Sequence, residues 1–457
     1  MAGAGAGAGA GLSGAGAGLS GAGAAGVGVR PYVELTFDAD GDVDPATRDA
    51  VARLDATDLL VFAHGWNSDR TAATRLYDQF FAPFPGLLGA GVRPGYVGVV
   101  WPSIRFSDEP IPDFEHQGAL GEGCCAARLD AGTRRALGEF WPGRETELDR
   151  LAHLLDEQPD SVSALVEFGA LVRELSGTDT TEGALAAASG PVPLMFTEDV
   201  LEVCRAFTDA LAETGALDGA PPEPGARGLS LGSVGHSLWN GAKELLRQAT
   251  YYQMKKRAGT VGEHGLGPVL AGLARPAGGG PGPRVHLIGH SFGARLVSFA
   301  LRGVPEGGPR CVRSVTLLQG AFSHYAFAAR LPFGPGGGDL HGLHTRVDGP
   351  VVACHSDYDT ALKVLYPLAS RMAGDAAGFA GFDTRWGAVG HDGIQEVPGA
   401  VRLTLDAALR GGLPASGCVS VDAASVVRHG GAPSGAHSDI CHAELARLVT
   451  LAGRVGH

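Results

Sequence analysis

A serine between two glycines, in residues 289–293, has the residue types and spacing of a nucleophile presented on a sharp turn. The sequence there is Gly-His-Ser-Phe-Gly; a short apolar run precedes it, and a segment with helical spacing of its apolar residues follows. On such a strand, turn and helix, Ser291 is expected in a strained conformation with its hydroxyl exposed. Side chains in place of Gly289 and Gly293 would press on the neighbouring strand or helix. The pattern therefore predicts a reactive hydroxyl at Ser291.

A second Gly-x-Ser-x-Gly copy, at residues 228–232, shows that the five-residue pattern alone is weak. With 72 glycines in 457 residues, chance produces roughly one copy. The second copy follows a proline-rich stretch and no apolar run, so no strand leads into it and a loop is predicted there. The context of the two copies favours Ser291 over Ser230.

A serine hydroxyl at neutral pH needs a base that takes its proton and a carboxylate that orients this base. Two aspartates follow the strand that is predicted to end at Cys354. We favour Asp359 over Asp357 as the acid, because it lies deeper in the loop and next to the start of a helix. The other aspartate is then expected to be a solvated loop carboxylate or a helix cap.

Three histidines follow the last predicted strand and compete for the role of the base. His437 lies in a loop immediately before the terminal helix, where a fold with a nucleophile elbow places its base. His429 is the alternative, and His442 is expected to face outward from the helix. The order serine, acid, histidine along the chain is the order that this kind of fold uses.

An oxyanion that forms during attack on a carbonyl needs preorganised N–H donors about 3 Å away. The residue after the nucleophile, Phe292, is expected to supply one backbone N–H. The second donor is expected from the loop His-Gly-Trp-Asn at residues 64–67, which follows a buried apolar run. The backbone N–H of Trp66 is our prediction for that donor.

The elements that must position these groups are predicted from apolar runs and helical periods. Predicted strands cover residues 32–37, 59–63, 96–101, 312–318, 351–354 and 418–421, and a further strand leads into the turn at residue 289. Predicted helices cover residues 45–54, 71–81, 145–156, 161–175, 200–211 (capped by Thr197), 237–257 and 441–451. The alternation predicts an α/β fold in which helices flank a mostly parallel central sheet.

The alternation stops for about 120 residues in the first half of the chain. Residues 1–28 are predicted to be a disordered tail rich in Ala and Gly, and residues 29–104 the first part of the α/β core. Residues 105–225 are then interpreted as a helical cap insertion before the elbow, or as an independent helical domain, and residues 226–457 complete the core. We favour the cap because the sheet pattern resumes afterwards.

Charge and composition exclude several kinds of partner. The formal charge of -13 leaves no basic surplus for nucleic acid. The sequence has no apolar run of about 18 residues, so a transmembrane segment is not indicated. The positively charged start and compact apolar centre of a secretory signal are not found either. The seven cysteines are scattered, without zinc-ligand spacing, and small buried thiols are expected at Cys311, Cys354 and Cys418. The cytoplasm is therefore the expected compartment, and the oligomeric state is not indicated.

These motifs together resemble the α/β-hydrolase superfamily, in particular serine esterase and lipase-like members of unassigned substrate. The matching stretches are residues 59–67, 97–103, 285–297, 356–362 and 435–440. The resemblance adds support for Asp359 and His437, whose loops look like the acid and base loops of such hydrolases. The insertion before the elbow departs from the position after the sixth strand, where lids often lie.

The resemblance implies a hydrolase that cleaves an ester or related acyl bond of a small-molecule substrate. The reaction would use the triad Ser291, His437 and Asp359 and an acyl-enzyme intermediate, with no cofactor or metal. Two alternatives stay open: acyl transfer to an acceptor other than water by the same triad, and a hydrolase-like scaffold that binds without turnover.

Overall fold

A computed structural model of the protein describes residues 26–104, 106, 127–177, 193–217, 235–275, 281–306, 310–372 and 386–456. Eight strands of these residues form one sheet, and all of their pairings are parallel. The strands are β1 (Tyr32–Thr36), β2 (Asp58–Ala63), β3 (Pro94–Val100), β4 (Arg284–His290), β5 (Val312–Leu318), β6 (Pro350–His355), β7 (Val401–Thr404) and β8 (Gly417–Asp422). The predicted α/β class, with helices that flank a parallel sheet, is confirmed.

Helices connect the strands and cover the sheet. Their bounds are Pro45–Ala52, Arg70–Phe81, Ala131–Phe140, Glu145–Glu157, Val162–Leu175, Leu194–Thr197, Val200–Glu213, His236–Thr260 (the long helix), Gly267–Leu273, Phe292–Gly303 (the elbow helix), Tyr366–Met372, Val389–Asp392, Leu405–Gly411 and Ala443–Gly453. Two π-helical segments, Val261–Leu266 and Ala361–Leu365, and two 3-10 turns, Phe84–Gly86 and Leu343–Arg346, complete the described helical structure.

The strand order, β1-β3-β2-β4-β5-β6-β8-β7, determines where a site is expected. β2 and β4 are neighbours, with Ala63 opposite Gly289. From β2 the chain continues to β3 on one side, whereas from β4 it continues to β5 on the other. Ligands of open parallel sheets bind in the crevice that such a reversal leaves at the carboxyl ends of the strands. The loop after β2 and the turn after β4 meet at this crevice.

The central strands form because their apolar runs can be buried on both faces of the sheet. All six residues of β2 are buried. Its Leu59 and Val61 contribute to the hydrophobic cluster on one face, whereas Leu60 and Phe62 contribute to the cluster on the other. A continuous apolar run is therefore required here, in place of the alternating pattern of a half-exposed strand.

The helices between β3 and β4 are not separated by a strand in the part of this stretch that the structure describes. Buried residues of these helices, such as Phe168 and Phe207, belong to the same hydrophobic cluster as Val61 of β2 and Leu296 of the elbow helix. The helical stretch and one face of the sheet thus share a continuous core.

Several predicted elements differ from the observed ones. The helix Val200–Glu213 is capped by Asp199, whose side chain accepts hydrogen bonds from Leu201 N and Glu202 N, and not by Thr197. The shorter side chain of a threonine two residues earlier cannot reach these amides, and Thr197 instead ends the helix Leu194–Thr197. Strand β7 and the helices Ala131–Phe140 and Leu405–Gly411 were not predicted.

Within the described ranges, the helices are too short or too polar to cross a membrane. Cys311, Cys354 and Cys418 are buried free thiols, and burial raises the pKa of Cys354 and of Cys418 to about 12. The second Gly-x-Ser-x-Gly copy at residues 228–232 lies outside the described residues, as do residues 1–25 of the predicted tail.

Candidate active site

Ser291 lies at the tight turn between β4 and the elbow helix. Its backbone angles, φ 56° and ψ -120°, are in a region that residues other than glycine rarely adopt, so the turn is strained. A Cβ on Gly289 would lie 2.5 Å from Ala294 Cα, and a Cβ on Gly293 would lie 2.5 Å from Ala63 C. The turn can therefore pack against both the elbow helix and β2 only with glycine at these two positions.

Three side chains form a hydrogen-bonded row at this turn. His437 Nε2 is 2.9 Å from Ser291 Oγ, and His437 Nδ1 is 2.8 Å from Asp359 Oδ2. Because a carboxylate only accepts, Nδ1 carries the proton that points to Asp359. Nε2 of the neutral ring then accepts from the serine hydroxyl. The structure thus brings together the serine, histidine and aspartate that the sequence singled out.

Asp359 is fully buried and held by two donors besides His437. Gln319 Nε2 donates to Oδ2 over 3.0 Å, and Leu362 N donates to Oδ1 over 3.0 Å. Gln319 follows β5, and its amide also donates to Gly390 O at 3.0 Å. The competing Asp357 is exposed. Gln319 was missed by the sequence analysis, because an isolated Gln after a strand carries no signal.

The two other candidate histidines lie away from the serine. The side chain of His429 is 77% exposed. His442 precedes the terminal helix, and its Nε2 is 2.8 Å from Asp439 Oδ1. Of the three candidate histidines, His437 is the one whose ring nitrogen lies within hydrogen-bond distance of the Ser291 hydroxyl.

His290, directly before Ser291, fixes the loop that carries His437. Its Nε2 donates to the backbone carbonyl of His437 over 2.9 Å. Burial, together with the neighbouring His437 ring, lowers the pKa of His290 to about 3. His290 is therefore neutral and acts as a fixed donor between the elbow and the histidine loop.

The loop after β2 approaches Ser291 closely. A Cβ on Gly65 would lie 2.6 Å from the Cβ of Ser291, so only glycine fits there. Trp66 is the next residue, and it lines the same cavity as Ser291 and Phe292. The N–H of Phe292 belongs to the first turn of the elbow helix, where backbone N–H groups have no intrahelical acceptor.

Buried polar contacts hold this loop in place. Trp101 Nε1 donates to His64 O over 3.0 Å, and His64 N donates to the Tyr77 hydroxyl over 3.0 Å. The His64 ring nitrogen Nδ1 donates to Gly65 O over 2.9 Å. Burial lowers the pKa of His64 to about 4, so the ring is neutral in this role. The backbone next to Ser291 is thus preorganised.

A cavity of about 100 Å³ lies in front of Ser291 and His437. The loop after β2 lines one side of it with Trp66, and the π-helical segment after Asp359 lines another with Leu362. The long helix lines the remaining side with four residues at helical spacing: Glu244, Arg247, Gln248 and Tyr251. This polar contribution was not predicted, since the apolar positions of the long helix dominate its pattern.

Comparisons with known proteins give no relative. No protein-family model, no curated protein and no solved structure matches the chain. Across the described ranges, no group of three or more His, Cys, Asp or Glu side chains is arranged to hold a metal ion.

Proposed function

We propose that the protein is a serine hydrolase of the α/β-hydrolase type, which cleaves an ester or related acyl bond. The observation that carries this proposal is the row of Asp359, His437 and Ser291, with distances of 2.8 and 2.9 Å, at a strained strand–turn–helix junction. A base within hydrogen-bond reach of the nucleophile, itself oriented by a third group, is the geometry that activates a serine.

In the first half of the proposed reaction, His437 Nε2 takes the hydroxyl proton while Ser291 Oγ attacks the carbonyl carbon. Buried Asp359 stabilises the imidazolium that forms and keeps the ring oriented. The carbonyl oxygen becomes an oxyanion and accepts hydrogen bonds from the backbone N–H groups of Trp66 and Phe292. When the tetrahedral intermediate collapses, the bond to the leaving group breaks, and His437 returns its proton to that group.

In the second half, water attacks the ester between Ser291 Oγ and the acyl group. His437 takes a proton from the water and returns it to Ser291 Oγ as the acid product leaves. The enzyme is regenerated, and every proton passes through one imidazole.

The long helix follows the predicted cap insertion of residues 105–225 and packs against its helices, with the rings of Phe168 and Trp239 in contact. The long helix places Glu244, Gln248 and Tyr251 against the same cavity as Ser291. The contact between Tyr251 and Phe292, with ring centroids 4.7 Å apart, joins the long helix to the elbow directly. We propose that these helices exclude water from the acyl-enzyme and select the substrate.

Hydrolysis of phenyl acetate tests the proposal. The wild-type protein should release phenol and acetate, with Ser291→Ala at least a thousandfold slower in kcat, because the loss of a triad member costs about that much or more. Ser230→Ala serves as the control, and its kcat should match the wild type. Wild-type turnover that survives in Ser291→Ala would contradict the assignment.

A further inference from the structure

The face of the long helix that lies over Ser291 is polar although it is buried. Glu244, Arg247, Gln248 and Tyr251 follow the spacing i, i+3, i+4, i+7, which puts them on one side of a helix. A face at this spacing that only packs against a core is normally apolar. Charged side chains are almost never fully buried unless they are paired. A polar group bound in the cavity would account for the polarity of this face.

The charges on this face balance each other. Glu244 is 3% and Arg247 8% exposed, and their side chains approach to 3.5 Å. Gln248 Nε2 donates to Glu244 Oε1 over 2.6 Å. The guanidinium of Arg247 also lies 5.0 Å from the centre of the Phe106 ring. Because Glu244 and Arg247 carry opposite charges and lie side by side, the pair itself favours neither a carboxylate nor an ammonium in the cavity.

Two buried polar atoms at this cavity lack a hydrogen-bond partner among the described residues. One is an acceptor, Gln248 Oε1, and the other is a donor, Trp66 Nε1. Gln248 is 3% exposed, and both residues line the cavity with Ser291. A buried unpaired polar atom costs roughly 1–3 kcal/mol. A ligand with a hydroxyl or an amide N–H would satisfy Gln248 Oε1.

The cavity is also small. Its volume of about 100 Å³ is below the roughly 300–1,000 Å³ of pockets that hold drug-sized ligands. It lies directly beside Ser291 Oγ, so that the part of the substrate that fills it is the part next to the carbonyl. The first few atoms of a long alkyl chain would fill this cavity, and the rest of the chain would extend outside it.

We propose, on the basis of the hydrolase function above, that the site takes short acyl groups that carry an uncharged hydrogen-bond donor. Gln248 is the specificity-determining residue, and its Oε1 accepts the hydrogen bond of an acyl hydroxyl or amide N–H. A site built for such a hydrogen bond rejects an analogue without the donor, because its own buried group is then left unpaired. The apolar acyl chain of the same length is the analogue to compare.

The test compares phenyl hydroxyacetate with phenyl propionate, since the two acyl groups have the same number of non-hydrogen atoms. Each kcat/KM is divided by the rate of the same ester with hydroxide, which removes the difference in intrinsic reactivity. The wild type should prefer hydroxyacetate at least tenfold. Gln248→Met keeps the length of the side chain but not the acceptor, and it should lose most of this preference, chiefly through slower hydroxyacetate turnover.

Gln253→Met is the matched control, because Gln253 lies on the same helix, half-buried, and does not line the cavity. Its preference should equal that of the wild type. The comparison of the two esters on the wild type requires no variant, so a Gln248→Met protein that fails to fold does not block the test. Thermal unfolding monitored by circular dichroism identifies such a failure.

Equal normalised kcat/KM values for the two esters on the wild type would overturn the inference while the hydrolase function stands. An unchanged preference in a folded Gln248→Met protein would do the same. If the wild type hydrolyses neither ester and no fluorophosphonate labels it, the proposed function fails, and the inference fails with it.

Discussion

At the scale of residues, the site depends on how Asp359 is held. The carboxylate is fully buried and receives hydrogen bonds from His437, Gln319 and the backbone of Leu362. A carboxylate in this position fixes the tautomer of the histidine and stabilises its positive form. Asp357, two residues earlier, is exposed and can supply neither effect.

The two aspartates therefore give a direct comparison. Asp359→Asn should lower kcat by about 10⁴, because the amide favours the wrong tautomer of His437. Asp357→Asn should change kcat less than twofold. Steady-state hydrolysis of phenyl acetate measures both, and similar losses in the two variants would show that the acid has been assigned wrongly.

The sequence was sufficient to predict the three members of the row, since their order and the elements around them are local features. It was not sufficient for Gln319 or His290. The role of Gln319 arises because the end of β5 lies beside the loop after β6, and that of His290 because the last loop folds back over the elbow. Such contacts between distant segments leave no trace in spacing or composition.

At the scale of elements, β2 and β4 lie side by side and set the distance between the loop after β2 and Ser291. A Cβ on Gly65 would lie 2.6 Å from the Cβ of Ser291, so the backbone of Gly65 lies against the side chain of Ser291. The loop keeps this position because His64 Nδ1 donates a hydrogen bond to Gly65 O and Trp101 Nε1 donates one to His64 O. The close approach of this loop to Ser291 is what requires glycine at position 65.

Gly65→Ala should move the loop away from Ser291 and lower kcat about a hundredfold or more, the loss expected when an oxyanion donor is displaced. Gly91→Ala is the control, because a Cβ on Gly91 meets no atom within 4 Å. Its kcat should be that of the wild type. A Gly65→Ala protein with normal kcat would mean that the loop does not contribute to transition-state binding.

The elements themselves were predicted to different degrees. β2, β5 and β6 have buried apolar runs, and their predicted bounds differ from the observed ones by one residue at most at each end. β7 was missed because it lies at the edge of the sheet and none of its residues is buried, so it has no apolar run. Short edge strands form through pairing with a neighbour, which only the tertiary structure supplies.

At the scale of the whole molecule, several buried histidines are held neutral. Burial lowers the pKa of His64 to about 4 and that of His290 to about 3. Burial also lowers the pKa of His286, against hydrogen bonding with Asp58, which raises it. His286 lies at the opposite end of the sheet from the site, with its ring nitrogens 3.0 Å from Asp58 Oδ1 and 3.1 Å from Ser314 Oγ.

Acid also removes the contribution of Asp58 to the stability of the fold. Burial alone would raise the pKa of its carboxyl, but hydrogen bonds from His286, Arg284 and Thr57 outweigh burial and lower the pKa to about 2. Its contribution to stability is present above its ordinary pKa of 3.8 and is lost as the pH falls toward 2. The buried histidines lower the stability at a higher pH than Asp58 does. The reason is that histidines of the unfolded chain take up protons below pH 6.5, whereas those buried in the folded protein do not.

We expect the free energy of unfolding to decrease as the pH falls from 6.5 to 4. Each buried histidine contributes up to about 1.4 kcal/mol per pH unit in this range. Urea unfolding at several pH values measures the slope. His290→Gln should make it shallower, whereas a variant of the exposed His429, His429→Gln, should not. A stability that is constant or rises toward pH 4 would contradict this expectation.

The central claim is that Ser291 is the activated nucleophile, and covalent labelling tests it most directly. The protein is treated with a fluorophosphonate and analysed by mass spectrometry of the intact chain and its peptides. We predict one adduct, on the peptide that contains Ser291, which is present in Ser230→Ala and absent in Ser291→Ala. Labelling of Ser291→Ala to the same extent as the wild type would contradict the account.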